Sequence, residues 1–179
     1  VSNHKWTALM EEGRGAAVLN DCKYGVNVVG HSINLTLLRA PLAPDETADR
    51  GHQEFTYAFY CWNGPFADCD LVREGYDLNV PVLVAPGAAG ERSLFMVDAP
   101  NVVIETVKPA EDGSKDVIVR LYEAKRTATH CTLTTTLPVK GAVQTDMLEN
   151  DEAPLPCDNG RIALDLRAFE IKTVRLRMA

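Results

Sequence analysis

VVIETVKPAEDGSKDVIVRLYE, residues 102–123, contains two alternating runs separated by one turn. Both Val102–Val107 and Val117–Tyr122 are rich in β-branched residues that alternate only in part with polar ones, which is typical of strands. Between the runs, Asp112 and Gly113 suit a tight turn because Asp-Gly readily adopts positive φ angles. The stretch therefore predicts an antiparallel β-hairpin.

The same alternation recurs on both sides of this hairpin. Further strands are predicted at residues 17–19, 26–30, 33–37, 53–60, 82–85, 93–97, 129–136, 141–147, 161–166 and 170–177. One segment, residues 68–78, has helical spacing and stops before Pro81. Residues 40–52 are predicted to form a long loop, and residues 149–156 a surface loop. The pattern indicates an all-β, mainly antiparallel fold, a β-sandwich of two sheets with one short helix near residues 68–78.

Composition excludes several classes of protein. The chain has 179 residues, 46% of them hydrophobic and 24% charged, which is typical of folded domains rather than disordered chains. No stretch approaches the roughly 18 apolar residues of a membrane span, so we expect no membrane insertion. The formal net charge is −7, and no dense Lys/Arg cluster offers a face for nucleic acid. Without a break in composition, residues 1–179 are expected to form one domain.

The cysteines indicate the cellular compartment, and the first residue indicates whether the chain is complete. The five cysteines form no C-x-x-C pair, and an odd number argues against a disulfide framework. Reduced thiols and the lack of a signal peptide favour a cytoplasmic protein. Because the sequence starts at Val1 rather than Met, we expect a piece of a longer protein.

Few patterns in this chain indicate catalytic chemistry. His52-x-Glu54 followed by Pro156-Cys157 resembles the zinc deaminase signature, but the second cysteine of that signature is missing. The four histidines are widely separated, and there is no G-x-S-x-G nucleophile motif. The turn at residues 87–90, GAAG, lacks the lysine of a phosphate-binding loop. We therefore expect no catalytic residue, metal site or cofactor within this chain.

A polar corner and a long polar loop are the candidate binding site. Both follow apolar strands, and long loops on compact β-folds are often functional. Carboxylates, planar donors and an aromatic ring are groups that bind hydroxyl-rich sugars. The alternative is a solvated loop tied by its own ion pairs. The candidate residues are Asn20, Asp21, Lys23, Tyr24, Arg39, Asp45 and His52.

The same corner carries a resemblance to a known family. The run AVLNDCKYG at residues 17–25 resembles the LLNDCKYG motif of glycoside hydrolase family 38 α-mannosidases, in their C-terminal β-domain. Further segments match in order, LLRAP at 37–41, DRGHQEFTYA at 49–58 and FEIKT at 169–173. The match is most similar to the bacterial and cytosolic branch. It departs at Ala168, where proline is expected, and at Cys61-Trp62, which replace a Pro-His-like pair.

The resemblance implies that the catalytic residues belong to a different domain from this chain. Family members are retaining, exo-acting α-mannosidases that need a divalent metal, usually zinc. Their metal ligands and nucleophilic aspartate belong to an N-terminal α/β barrel that this chain lacks. The chain is thus expected to be a non-catalytic C-terminal domain that packs on the barrel and lines the mannoside cleft. Arg39 would reach the sugar, and the other six candidate residues would support that rim.

Two further expectations accompany this hypothesis. The surface that would face the barrel is expected to be apolar, so the chain alone could self-associate. A different function, an autonomous carbohydrate-binding module, would need exposed aromatic platforms. The sequence offers four for that role, Trp6, Tyr24, Tyr60 and Trp62.

Overall fold

A computed structural model describes residues 1–87 and 90–179 of the chain. These residues form two compact units, Val1–Pro86 (unit 1) and Gly87–Ala179 (unit 2), where an unbroken composition predicts one domain. Every strand pairing given for them is antiparallel, which confirms the predicted all-β, antiparallel fold. The middle of the predicted turn at 87–90 lies outside the described residues.

Unit 1 combines a three-stranded sheet, a hairpin and one α-helix. The sheet has the order β1-β2-β5, and β3 pairs with β4. A short 3-10 helix at Phe66–Asp68 precedes the α-helix, which ends just before Pro81, as the sequence predicts. The elements are β1 (Trp6–Glu11), β2 (Arg14–Asn20), β3 (Val26–Val29), β4 (Ser32–Leu35), β5 (Tyr57–Asn63) and α1 (Leu71–Asn79).

One face of the β1-β2-β5 sheet is buried under the helix. Ala17 and Leu19 of β2 pack with Trp62 of β5 and with Leu71, the first residue of α1. Gly15 makes room for the indole, because a Cβ at that position would lie 2.1 Å from Cζ2 of Trp62. The core of unit 1 therefore depends on the absence of a side chain at residue 15.

Unit 2 is a sandwich of two sheets. A five-stranded sheet has the order β11-β10-β14-β8-β7, and a four-stranded sheet has the order β12-β13-β9-β6. The strands are β6 (Phe95–Val97), β7 (Val102–Pro109), β8 (Val117–Glu123), β9 (Thr129–Thr135), β10 (Val139–Thr145), β11 (Asp151–Leu155), β12 (Cys157–Asp158), β13 (Arg161–Leu166) and β14 (Ile171–Met178).

Alternating residues of both sheets fill the core of unit 2. Val119 and Val174 of the larger sheet pack in one cluster with Leu133, Ile162 and other residues of the smaller sheet. In β13 every second residue is buried, the pattern of a strand with one solvent face. The predicted two-sheet sandwich is thus the architecture of unit 2, while unit 1 adds two further sheets.

Three local predictions are wrong. Residues 82–85 form no strand, and Leu83 is 93% exposed, because β-forming residues need a neighbouring strand to pair with. Asp151–Leu155, placed in a surface loop, is the edge strand β11, where Pro154 is tolerated because one side of the backbone stays unpaired. The strand patterns around Cys61 and Cys131 predict that both are small core residues, but Cys61 is exposed and only Cys131 is buried.

A cluster of charged side chains covers the outer side of β14. The side chain of Arg175 is 8% exposed, and its Nε donates to Asp116 Oδ2 at 2.9 Å. Its Nη2 contacts the carboxylate of Asp112 in the β7–β8 turn and donates to Ser114 Oγ at 3.1 Å. The hydrogen bond from Arg175 holds the pKa of Asp112 below its ordinary value. Arg175 therefore ties the turn at residues 112–114 to the central strand.

A buried carboxylate fixes the ends of neighbouring strands in unit 2. Glu123 is 1% exposed, and it accepts hydrogen bonds from Asn101 Nδ2, Lys125 N and Phe169 N at 2.9, 2.6 and 2.9 Å. Burial favours the protonated acid, but these donors outweigh burial and lower the pKa of Glu123. The ionised carboxylate joins the ends of β7, β8 and the turn before β14.

Candidate functional site

The polar corner at the end of β2 is held from within by Asn20. This side chain is 1% exposed, and its Oδ1 accepts a hydrogen bond from Lys23 N at 2.8 Å. Its backbone oxygen accepts from Nδ2 of Asn79, the last residue of α1, at 3.1 Å. Asn20 therefore shapes the corner and anchors it to the helix, and its buried amide is not exposed for a ligand.

Asp21 joins the corner to the start of β5. Its Oδ2 accepts from Thr56 N at 2.9 Å, and its own N–H donates to Thr56 O at 3.2 Å. Hydrogen bonds from the Cys22 thiol and from Thr56 N lower the pKa of Asp21, and the same carboxylate raises the pKa of Cys22. Asp21 is thus an ionised residue that fixes two segments distant in sequence.

Lys23 and Tyr24 continue the corner toward solvent. The Lys23 ammonium lies 4.8 Å from the centre of the Phe55 ring, a cation–π contact. Tyr24 is 51% exposed, and its ring meets the His4 ring edge-on at 5.0 Å between centroids. Tyr24 can therefore offer part of one aromatic face to a ligand.

The loop at 40–52 is shaped by carboxylates that bind backbone amides. Asp49 Oδ2 accepts from Arg39 N at 3.1 Å and from Ala40 N at 2.6 Å. Asp45 Oδ1 accepts from Thr47 Oγ1 at 2.7 Å and from Thr47 N at 2.8 Å, and these bonds lower the pKa of Asp45. No ion pair ties residues 40–52, all of which the structure describes, so the loop is held by these hydrogen bonds instead.

Backbone bonds bring the corner and the strand before Arg39 together. Thr36 N donates to Gly25 O at 2.9 Å, directly after the corner. Arg39 follows three residues later, so its Cα lies within about 11 Å of that of Thr36. Arg39 and His52 are exposed, and within the described chain neither side chain makes a hydrogen bond or ion pair. The structure thus leaves the Arg39 guanidinium available to a ligand or partner.

The aromatic side chains are distributed differently from the sequence expectation. Trp6, Tyr60 and Trp62 belong to the helix-covered core of unit 1 and offer no open platform. Tyr57 and Phe59 of β5 are instead 59% and 73% exposed. The signal missed in the sequence is that an alternating aromatic strand buries only one of its two faces, which leaves Tyr57 and Phe59 exposed.

Within residues 1–87 and 90–179, no three His, Cys, Asp or Glu side chains converge as metal ligands. None of the described helices is both long enough and apolar enough to cross a bilayer.

Two protein-family models match the chain in the regions that contain these elements. Residues 1–47 match the glycosyl hydrolases family 38 C-terminal domain. Residues 101–174 match the glycosyl hydrolases family 38 C-terminal beta sandwich domain. This chain belongs to glycoside hydrolase family 38. The two matches fall in unit 1 and unit 2 respectively, and the first includes the corner and Arg39.

Relatives of this family 38 chain are longer α-mannosidases. It is 41% identical over 181 residues to alpha-mannosidase 2C1 of Homo sapiens, a match that covers 97% of this chain and 17% of that protein. It is 34% identical over 185 residues to alpha-mannosidase G of Dictyostelium discoideum, covering 98% and 17%. The family 38 chain therefore spans about a sixth of the length of these relatives.

Its fold is that of a solved family 38 structure. A glycosyl hydrolase family 38 protein from Enterococcus faecalis matches with a TM-score of 0.76 at 20% sequence identity. The match covers 97% of this chain and 22% of that chain. The fold is thus shared where sequence identity is low.

Proposed function

We propose that this chain is the non-catalytic C-terminal part of an α-mannosidase, that it packs on the catalytic barrel, and that Arg39 lies at the rim of the mannoside cleft. The observation that carries the proposal is the exposed Arg39 guanidinium, which has no partner in the described chain while Asp49 fixes its backbone. A guanidinium held in this way can donate two directed hydrogen bonds to sugar hydroxyls.

The other rim candidates divide into two roles under this proposal. Asn20 and Asp21 hold the corner in shape, since Asn20 Oδ1 accepts from Lys23 N and Asp21 Oδ2 accepts from Thr56 N. Lys23, Tyr24 and His52 keep solvent-facing groups that could meet substrate. Asp45 shapes the loop through Thr47.

The chain's own residues do not fit a metal centre, since the described His, Cys, Asp and Glu residues form no ligand set. The proposal therefore assigns the divalent metal of the family to the catalytic barrel and derives no step through it here. The isolated chain should then hydrolyse no α-mannoside, with or without added zinc. Turnover of an aryl α-mannoside by the purified chain would refute the non-catalytic role.

Arg39→Ala in the complete enzyme tests the rim role. Loss of a charge-assisted hydrogen bond should lower kcat/KM by about tenfold or more. Arg50→Ala is the matched control, because Arg50 is an exposed arginine in the loop after Arg39 whose side chain makes no hydrogen bond or ion pair in the described chain. Equal kcat/KM values for Arg39→Ala and the unaltered enzyme would remove Arg39 from the cleft.

The alternative function is an autonomous carbohydrate-binding module. Of the four aromatic residues proposed as its sugar platforms, only Tyr24 is substantially exposed. The exposed rings of Tyr57 and Phe59 are the observation that still favours it. Mannose titrated into the chain, followed by calorimetry, separates the two functions. Binding at millimolar mannose or below that weakens in Phe59→Ala would support the module.

A further inference from the structure

The strand β5 leaves one long edge of its sheet open. It bonds to β2 on one side, and the sheet order β1-β2-β5 places no described strand on the other. Its sequence, YAFYCWN, contains no charged residue and no proline. Natural proteins protect exposed edges with charges, prolines or bulges, because unpaired backbone groups recruit other strands. The β5 edge has none of these protections.

Hydrogen bonds at both ends of β5 show which backbone groups face the open side. Asp21 N donates to Thr56 O just before the strand, and Gly64 N donates to Gly13 O just after it. The register between the two strands runs without a shift from Tyr57 to Asn63. Because antiparallel pairs alternate, every second residue bonds to β2. The backbone groups of Tyr57, Phe59 and Cys61 therefore point away from β2, to the open side.

The same residues present apolar side chains. Tyr57 is 59% exposed and Phe59 is 73% exposed, and Cys61 is also exposed. Their side chains share the sheet face opposite α1, since Ala58, Tyr60 and Trp62 pack on the helix side. Unpaired main-chain groups together with an apolar row at every second residue are the features used in β-strand addition.

We propose that the open edge of β5 binds an extended strand with apolar side chains at alternate positions, supplied by the part of the family 38 polypeptide outside this chain. The inference rests on the proposed function, because it takes the chain to be part of a longer α-mannosidase. The chain spans about a sixth of its relatives, so in such an enzyme most of the polypeptide is tethered nearby at high effective concentration.

Hydrogen–deuterium exchange of the complete enzyme, resolved to single residues, tests the proposal. The amides of Tyr57, Phe59 and Cys61 should exchange roughly 100-fold more slowly than an amide without a hydrogen bond, as those of paired strands do. Exchange of these three amides as fast as an unbonded loop amide, in an enzyme that is folded and active, would overturn it.

Cys61→Pro and Cys61→Ala form a matched pair of variants. Proline removes only the outward N–H, so the bonds to β2 should survive and the amides of Ala58 and Tyr60 should stay protected. Tyr57 and Phe59 should then exchange about tenfold faster in Cys61→Pro than in Cys61→Ala. Equal exchange in the two variants, with Ala58 and Tyr60 still protected, would also count against an added strand.

Other occupants give different results. Protection of the three amides in the chain alone that rises with protein concentration would assign the edge to a second copy and overturn the proposal. Protection that appears in the chain only with added mannose would assign it to a sugar, with the same consequence. The activity assay tests the proposed function separately. If Arg39→Ala lowers kcat/KM but the β5 amides exchange fast, the proposed function stands and the added strand is ruled out.

Discussion

Asp49 Oδ2 accepts hydrogen bonds from the backbone amides of Arg39 and Ala40, at 3.1 and 2.6 Å. This carboxylate thus fixes the direction of the backbone at Arg39, four residues after the end of β4. The guanidinium itself makes no hydrogen bond or ion pair in the described chain. The position of Arg39 is therefore set through its backbone, which preserves all the donors of its side chain.

Under the proposed function, Asp49→Ala should lower kcat/KM of the complete enzyme although it removes no side chain proposed to contact substrate. Loss of both bonds would let the Arg39 backbone move, so we expect kcat/KM to fall by about three- to tenfold, less than for Arg39→Ala. Asp49→Asn retains one carbonyl oxygen and should recover part of the loss. If Asp49→Ala has wild-type kinetics while Arg39→Ala is impaired, Asp49 does not position the arginine.

Gly15→Ala should destabilise unit 1. The new Cβ would lie 2.1 Å from the Trp62 ring, which is packed between β2 and α1, so the core must shift at a cost of about 1–3 kcal/mol. Gly141→Ala is the control, since a Cβ there meets nothing within 4 Å. Chemical denaturation measures both, followed by tryptophan fluorescence for unit 1 and by circular dichroism for unit 2. A midpoint of unit 1 that is the same in Gly15→Ala and in the unaltered chain would show that the indole can move aside.

Glu123→Gln should destabilise unit 2 by about 1–3 kcal/mol. An amide nitrogen would replace one of two oxygens that together accept from Asn101, Lys125 and Phe169, so a donor would face a donor inside the protein. Glu152→Gln is the matched control, because Glu152 is exposed and accepts only from Gln144. Unfolding free energies from urea titrations should separate the two variants, and identical values would contradict the prediction.

Acid should destabilise unit 2 through the cluster around Arg175. The hydrogen bond from Arg175 lowers the pKa of Asp112, and bonds from Arg177 and Arg175 outweigh burial to lower that of Asp116, from ordinary values of 3.8. Since the unfolded chain takes up these protons first, stability is fully present above about pH 4 and falls as pH decreases through the folded pKa values.

Urea midpoints of unit 2 at several pH values check this. The midpoint should stay constant from about pH 5.5 to pH 4 and then fall toward pH 2.5, and the fall should be smaller in Asp112→Asn, which removes one of the titrating groups. A pH dependence that is the same in the variant and in the unaltered chain would show that Asp112 contributes none of it.

Sequence patterns predict those strands, turns and helices that are determined by neighbouring residues in the chain. The hairpin of β7 and β8 forms as the alternation and the Asp112-Gly113 turn indicate, and α1 ends before Pro81 as expected. Strand β1 could not be predicted in the same way, because the run Ala8-Leu9-Met10 does not alternate and becomes a strand only by pairing with β2. The failure at residues 82–85 has the opposite cause, a strong β-propensity with no strand beside it.

The candidate site shows the same limit. The corner at residues 20–24 follows from a polar run after an apolar strand, but its attachment to Thr56 depends on a contact between residues 35 positions apart. Neither hydrophobic periodicity nor a local motif predicts that Asp49 accepts a hydrogen bond from the Arg39 amide. The ligand proposed for Arg39 belongs to a group outside this chain, so local patterns carry no information about it.

The position of β14 in its sheet has a consequence for biosynthesis. This strand lies between β10 and β8, so the pairs β10–β11 and β7–β8 are joined to each other only through Ile171–Met178. On the ribosome, the β7–β8 hairpin can form early, yet the five-stranded sheet stays split until the codons for residues 171–178 have been translated. Unit 2 should therefore complete its folding only after residues 171–178 have left the ribosome.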